Sequence, residues 1–291
     1  MASRSGHGET VAFVALRCVA CGGDMDPVLA PAVTHPACVP AFAELQDEDP
    51  FSQLLKTKLI EMILWADKQN PRSKQVKIGP SEIGDQCDRR IGYRIAQVPH
   101  CNTDFDPWPA IVGTAVHSWL DKAVQDWMVD QADPAWSTET TLSMSEFVEG
   151  HSDLYSHAFQ AVIDWKGAGP DVMRRVRKDG PPIGYMIQTH IYGYGFEQKG
   201  WPVKKVALAF LPRAGWLKDM YVWSVDYDRS VAQAALTRLY GIARRLVSMD
   251  VLKQSHKWAE VEATPSNACG FCPWYDPGRN GEADVTGCPG R

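Results

Sequence analysis

At 291 residues, with 45% apolar and 22% charged side chains, the chain can bury one substantial core and carry a small appendage. Its longest apolar runs, such as the one around Ile111 to Trp119, are broken too early to span a bilayer, so no membrane helix is expected. The opening MASRSGHGET lacks the charged-then-apolar order of a secretory signal, which points to a reducing cytoplasm, bacterial or of a phage-infected host, and makes the eight cysteines metal ligands in preference to disulfides. The net charge of -5 speaks against a simple polyanion binder, but it is unevenly spread. From Lys166 to Lys218 ten basic residues face three acidic ones, so that segment is +7 and the remainder -12. A basic zone of this kind suits a phosphodiester substrate, a solvated charged face being the alternative.

The first forty or so residues are rich in Cys, Gly, Pro and Ala and read as a small metal-tied module, residues 1–45, ahead of a main domain, 46–291. Apolar residues at helical spacing predict a helix from Phe51 to Ala66. Ser81 is placed to cap a second helix from Glu82 to about Ala96 that carries Cys87, Arg89, Arg90 and Arg94. A third, Ile111 to about Val129, presents a wide apolar face. Two strands, Glu146 to Tyr155 and Phe159 to Trp165, form a hairpin turning at Ser156 and His157. After a Gly/Pro-rich loop comes a helix holding Gln188 to Glu197. Strands at Val203 to Leu211 and Met220 to Tyr227 precede a long helix, Arg229 to Asp250, capped by Asp228. This order gives an α/β fold with a mixed sheet flanked by helices.

The chemistry is concentrated in Gly150-His151-Ser152-Asp153 and Ile163-Asp164-Trp165-Lys166. Side chains alternate along a strand, so Asp164 and Lys166 share one face, and a hairpin brings Asp153 to the same place. Two carboxylates aimed at one point repel unless a divalent cation, magnesium or manganese, lies between them. A polar strand end carrying a surface ion pair is the competing reading of Asp-x-Lys alone. His117 stands one turn after Gly113, a residue that leaves room for close approach. Gln188 and Tyr192, four apart, share a helix face.

In order, Gly-x-x-x-His, Gly-x-x-Asp, Ile-Asp-x-Lys and Gln-x-x-x-Tyr resemble the motif series of RecB-like PD-(D/E)xK nucleases, over about Ile78 to Phe210. The resemblance implies a restriction-endonuclease-like core and metal-dependent DNA exonuclease activity on single strands or duplex ends, beside a helicase or recombination partner. By it His117, Asp153 and Asp164 bind Mg2+ or Mn2+, with the Trp165 backbone carbonyl a further ligand. Lys166 is then the catalytic lysine, and Gln188 and Tyr192 flank the site. Arg174, Arg175, Arg177, Lys178, Lys204 and Lys205 are the expected DNA contacts, and Tyr185, Tyr192, Tyr194 and Trp201 are placed to stack on unpaired bases.

Cys269-x-x-Cys272, then Cys288, with Cys87 far upstream, resembles the pattern of the CRISPR-associated fourth Cas protein family and its phage-encoded relatives. That resemblance implies a 4Fe-4S cluster tying 78–100 to 265–291; zinc is the alternative, and Cys101 could replace Cys288 because the gap before it is wide. Separately, Cys18-x-x-Cys21 and His35-x-x-Cys38 have the spacing of a structural zinc knuckle. A non-catalytic DNA-binding or recombination accessory protein is the other functional reading, with its metals serving structure.

Overall fold

The computed structural model describes residues 50–69, 77–103, 106–279 and 281–290, and the chain divides into two compact units, 1–69 and 70–291. The zinc-knuckle residues Cys18, Cys21, His35 and Cys38 lie outside the described residues. Within the first unit the expected amphipathic segment forms one helix, α1 (Pro50–Lys68). No described helix is long and apolar enough to cross a membrane.

The second unit is a mixed α/β fold. Its elements run α2 (Pro80–Ile83), α3 (Asp88–Ile95), α4 (Trp108–Asp130), β1 (Trp136–Ser143), β2 (Glu149–Ser156), β3 (Ala161–Ala168), α5 (Pro170–Asp179), α6 (Ile183–Gln198), β4 (Lys205–Pro212), β5 (Tyr221–Asp226) and α7 (Arg229–Met249). The five strands form one sheet in the order β1-β2-β3-β4-β5, in which β3 and β4 are parallel and the other neighbours antiparallel. A parallel pair needs a long return, here made by α5 and α6. The main core joins Val162, Val206, Ile191, Phe196 and Leu239, while Met173 and Val176 of α5 pack on Ala168, Leu208 and Phe210. Asp228 caps α7 as expected, accepting from the Ser230 N–H at 2.8 Å.

Several local expectations are corrected. The helix expected from Glu82 to Ala96 is two short ones, because the backbone at Gly84 passes so close to α6 that no side chain fits between. A Cβ on Gly84 would overlap the Gly184 carbonyl oxygen, and one on Gly184 would come within 2.9 Å of the Gly84 oxygen. Gly79, not Ser81, caps the first, its N–H donating to Glu82 Oε2 at 2.8 Å. Cys87 therefore sits at the N-cap of α3, outside the helix. Strand β1 has too little apolar alternation to stand out, its only apolar residues being Trp136 and Leu142. Helix α5 is sparsely apolar and follows Gly169-Pro170, so it reads as loop. α4 runs against β1 to β3 but buries none of its residues, Trp119 staying 70% exposed. The surface beneath it is polar there: Gln125 Nε2 donates to Thr138 Oγ1 of β1 at 3.2 Å. Nor does Gly113 serve close approach, since a Cβ there meets nothing within 4 Å.

The segments 78–103 and 258–288 are joined by side chains of their own. Tyr93 stacks on Trp258 at 4.3 Å and on Trp274 at 5.6 Å. Its hydroxyl donates to the Asp284 and Gly287 carbonyls, and Trp274 Nε1 donates to the Val98 carbonyl at 2.9 Å.

These two glycine environments give opposite expected outcomes. Gly84→Ala should destabilise the protein by about 1–3 kcal/mol, because backbone meets backbone and neither can rotate away. Gly113→Ala, inside a helix with open space beside it, should stabilise by up to about 1 kcal/mol. Urea unfolding of both variants checks this, and equal effects would contradict the close contact.

Candidate active site

The site forms where the β2–β3 ladder stops. Its last pair is Leu154 with Ile163, and one step further the register brings Asp153 beside Asp164. There the Trp165 N–H, instead of meeting a β2 carbonyl, donates to Asp153 Oδ2 at 2.8 Å. The backbone donor is thus satisfied by the carboxylate that the interruption makes room for. The Trp165 carbonyl, expected as a further metal ligand, belongs to the same strand residue whose amide binds Asp153. Gly150 allows this packing, since a Cβ there would come within 2.6 Å of Pro80 Cδ and 3.3 Å of Tyr192 Cε1.

Asp164 is buried, 2% exposed. Gln188 Nε2 donates to its Oδ1 at 3.0 Å, and Lys166 Nζ lies 2.5 Å from its Oδ2. The same Gln188 accepts from Lys166 Nζ through Oε1 at 3.1 Å. One amide therefore holds both charged groups, which is the physical content of the Gln188 position on α6. The Lys166 ammonium also sits 4.6 Å over the Tyr185 ring, a cation–π contact at the edge of the pocket. From α4, His117 Nδ1 lies 3.1 Å from Asp153 Oδ1. Tyr192 is buried beside the carboxylates.

Electrostatics follow from this crowding. Burial pushes the Asp164 carboxyl up to about 6, against the pull of Lys166. The hydrogen bond that His117 donates to the Asp153 carboxylate raises the imidazole, with burial opposing. Burial, then the charges of Asp164, Asp153 and Glu139, raise the Tyr192 hydroxyl.

Glu139 of β1 was not anticipated, because the strand carrying it was not recognised; its only sequence signal is the alternation in Thr138-Glu139-Thr140. His117, Glu139 and Asp153 each offer a ligand atom, and the three atoms lie within 4.8 Å of one another. One nitrogen and two carboxylate oxygens so spaced fit a divalent cation.

The expected basic surface is divided. Arg174, Arg175, Arg177 and Lys178 are exposed on α5, which follows the end of β3 that bears Lys166. Lys204 and Lys205 stand at the other end of the sheet. Lys205 pairs with Ala161, five positions or about 16 Å along from Lys166, and it forms an ion pair with Asp226. Of the aromatics expected to stack on bases, Tyr185 is 38% exposed at the pocket edge, whereas Trp201 packs on Tyr155, His157 and Phe196 and Tyr194 joins the core.

Cys87, Cys269, Cys272 and Cys288 line a single groove of about 1020 Å³ that reaches Tyr185. Cys101 is not among its lining residues; its thiol faces Gly287 and is exposed. Burial raises the Cys272 thiol, and the buried Arg89 donates to Cys288 Sγ at 3.3 Å.

A carboxyl raised by folding contributes stability below its unfolded pKa and loses it as pH rises through the folded value. Without metal, the native protein should therefore lose stability through Asp164 between about pH 4 and pH 6. Asp164→Asn removes that loss, so its melting temperature relative to wild type should climb as pH goes from 4 to 7. A difference that stays flat across this range would refute the buried, raised carboxyl.

No family model matches the chain, and no curated protein matches it. Among solved structures it is similar to an alkaline exonuclease (LHK-Exo) from Laribacter hongkongensis, with 10% identity and a TM-score of 0.43 over 63% of this chain and 94% of that one. It is similar to LHK-Exo in complex with dAMP at 12% identity and 0.43, over 62% and 94%. It is also similar to a phage-related exonuclease from Haemophilus somnus 129PT, at 13% identity and 0.40 over 56% of this chain and 81% of that one.

Proposed function

We propose that the chain is a divalent-metal-dependent deoxyribonuclease that hydrolyses DNA phosphodiester bonds from an end, in recombination, repair or replication. The observation that carries this reading is the meeting of Asp153, Asp164 and Lys166 where the β2–β3 ladder stops, with His117 against Asp153. A protein that only binds DNA gains nothing from burying an acid beside a lysine at such a junction, since the desolvation is costly.

When bound, a divalent cation polarises a phosphate oxygen and lowers the pKa of water. His117, Asp153 and Asp164 would hold it, as the resemblance to the RecB-like motif series implies. Lys166 keeps its ammonium between Gln188 and the Tyr185 ring, where it stabilises charge developing on the phosphate. Gln188 fixes the distance between acid and base. Tyr185 offers a face on which an unpaired base stacks, and the exposed basic side chains of α5 attract the phosphate backbone. Cys87, Cys269, Cys272 and Cys288 are assigned to a 4Fe-4S cluster, with Arg89 placed to offset thiolate charge. The N-terminal Cys18, Cys21, His35 and Cys38 are assigned to a structural zinc ion.

Asp164→Ala and Lys166→Ala should each lower DNA cleavage with manganese by about 100- to 1,000-fold or more. Both should leave DNA binding in place and strongly salt-dependent, since affinity rests on Lys and Arg. Wild-type protein that binds DNA but degrades neither single- nor double-stranded substrate would favour the accessory-protein reading.

Protein purified without oxygen should be brown and contain iron. A colourless product holding zinc alone would remove the cluster while leaving the nuclease reading standing.

A further inference from the structure

Beyond Lys166, strand β3 runs out through two glycines, Gly167 and Gly169, and the side chain lying against both is that of Arg213, at the end of β4. A Cβ on Gly167 would stand 3.5 Å from Arg213 Cγ, and one on Gly169 would stand 3.3 Å from Arg213 Nη2. The Arg213 N–H donates to the Ala168 carbonyl at 2.9 Å, one step past the last β3–β4 pair, Ala168 with Pro212, which fixes the root of the side chain. Side chains alternate along a strand, so Gly167 and Gly169 turn away from the face that carries Asp164 and Lys166. The end of β3 therefore has a cation on each side, an ammonium on one face and a guanidinium on the other.

The two cations differ in what they hold. Lys166 is engaged by Asp164 and Gln188. Arg213 is exposed, and its guanidinium has no hydrogen bond, ion pair or ring contact among the described residues. Of the described arginines only Arg175 shares that condition, and Arg175 is exposed on a helix surface, whereas Arg213 is laid along the β3 backbone. Gly167 lies two positions, about 7 Å, beyond Trp165, the residue whose amide binds Asp153. A guanidinium keeps its charge at any working pH and presents a planar fork of donors that matches two oxygens of one phosphate.

We infer that Arg213 is a phosphate-binding residue of the nuclease, gripping the phosphate next to the one being cut on the side of β3 away from Lys166. This deepens the nuclease reading and rests on it. With the scissile phosphate at the carboxylates and its neighbour on Arg213, the DNA backbone is held at two points across the strand end, which orients the bond to be broken.

The test is steady-state cleavage with Mn2+ by the full-length protein, on oligonucleotides carrying one neutral methylphosphonate moved along the first few linkages from each end. Wild type should lose about 10- to 100-fold in kcat/KM, mostly through KM, when the neutral group sits at one linkage beside the first bond cut. Arg213→Ala should lose a similar factor on the unmodified strand and be indifferent to the methylphosphonate at that linkage, because the charge pair can be removed only once. Arg213→Lys keeps the charge without the fork and should fall between the two. Both variants should melt as wild type does, since the guanidinium holds nothing in the folded protein. An unchanged kcat/KM in Arg213→Ala, or methylphosphonate sensitivity in that variant equal to that of wild type at every linkage, would overturn the assignment. Wild-type protein that cuts none of these strands would instead overturn the nuclease reading, and the assignment with it.

Discussion

Acidic side chains on adjacent strands of one sheet repel, and the interior of a protein screens that repulsion poorly. Glu139, Asp153 and Asp164 stand in neighbouring registers of β1, β2 and β3, so the fold has to supply balancing charge and hydrogen bonds at the same place. It does so from three directions. Lys166 comes from the same strand as Asp164, Gln188 from α6 and His117 from α4, while the Trp165 amide satisfies Asp153 from the backbone. Much of the architecture around the site can be understood as the delivery of these four groups. Helix α6 must lie close enough for one amide to span acid and base, and the β2–β3 ladder must end early enough to free a backbone donor.

The same helix links the site to the cysteine-bearing part of the protein. Its first turn meets Gly84 backbone to backbone, and three residues later in the chain Cys87 begins α3. That turn also carries Tyr185, which lies under the Lys166 ammonium and lines the groove shared with the four cysteines. The position of α6 is therefore fixed by a contact that tolerates no side chain, and the lysine inherits that rigidity. The surrounding junction of Tyr93, Trp258 and Trp274 is made of stacked rings and hydrogen bonds. Its packing supplies cohesion independently of any metal, so a cluster bound there would add to an interface that is already built.

Charge is laid out in keeping with a polyanionic substrate, although the protein as a whole is acidic. The exposed basic side chains of α5 follow directly on the strand that carries Lys166. Lys204 and Lys205 belong to the opposite end of the sheet, where Asp226 pairs with Lys205. A segment that is uniformly positive in sequence thus becomes two separate surfaces, because a parallel strand returns the chain to the end from which it started.

The sequence by itself determined the hairpin, the long helices and the pairing of Asp164 with Lys166, because strand alternation and helical periodicity act over a few residues and leave a readable pattern. It also singled out His117, Asp153 and Gln188 as candidate site residues, although His117 meets Asp153 across 36 positions and Gln188 meets Lys166 across 22. Only the tertiary structure decided what no local pattern carries. Strand β1 is polar, and it is held by its pairing with β2 more than by apolar alternation of its own, so Glu139 was invisible until that pairing existed. The break between α2 and α3 came from a backbone collision with α6 a hundred residues away. The donation of the Trp165 amide to Asp153 depended on where the ladder ends. Each of these is a matter of which distant surfaces meet, and that is set by packing and hydrogen-bond satisfaction across the whole sheet, not by the propensities of the residues concerned.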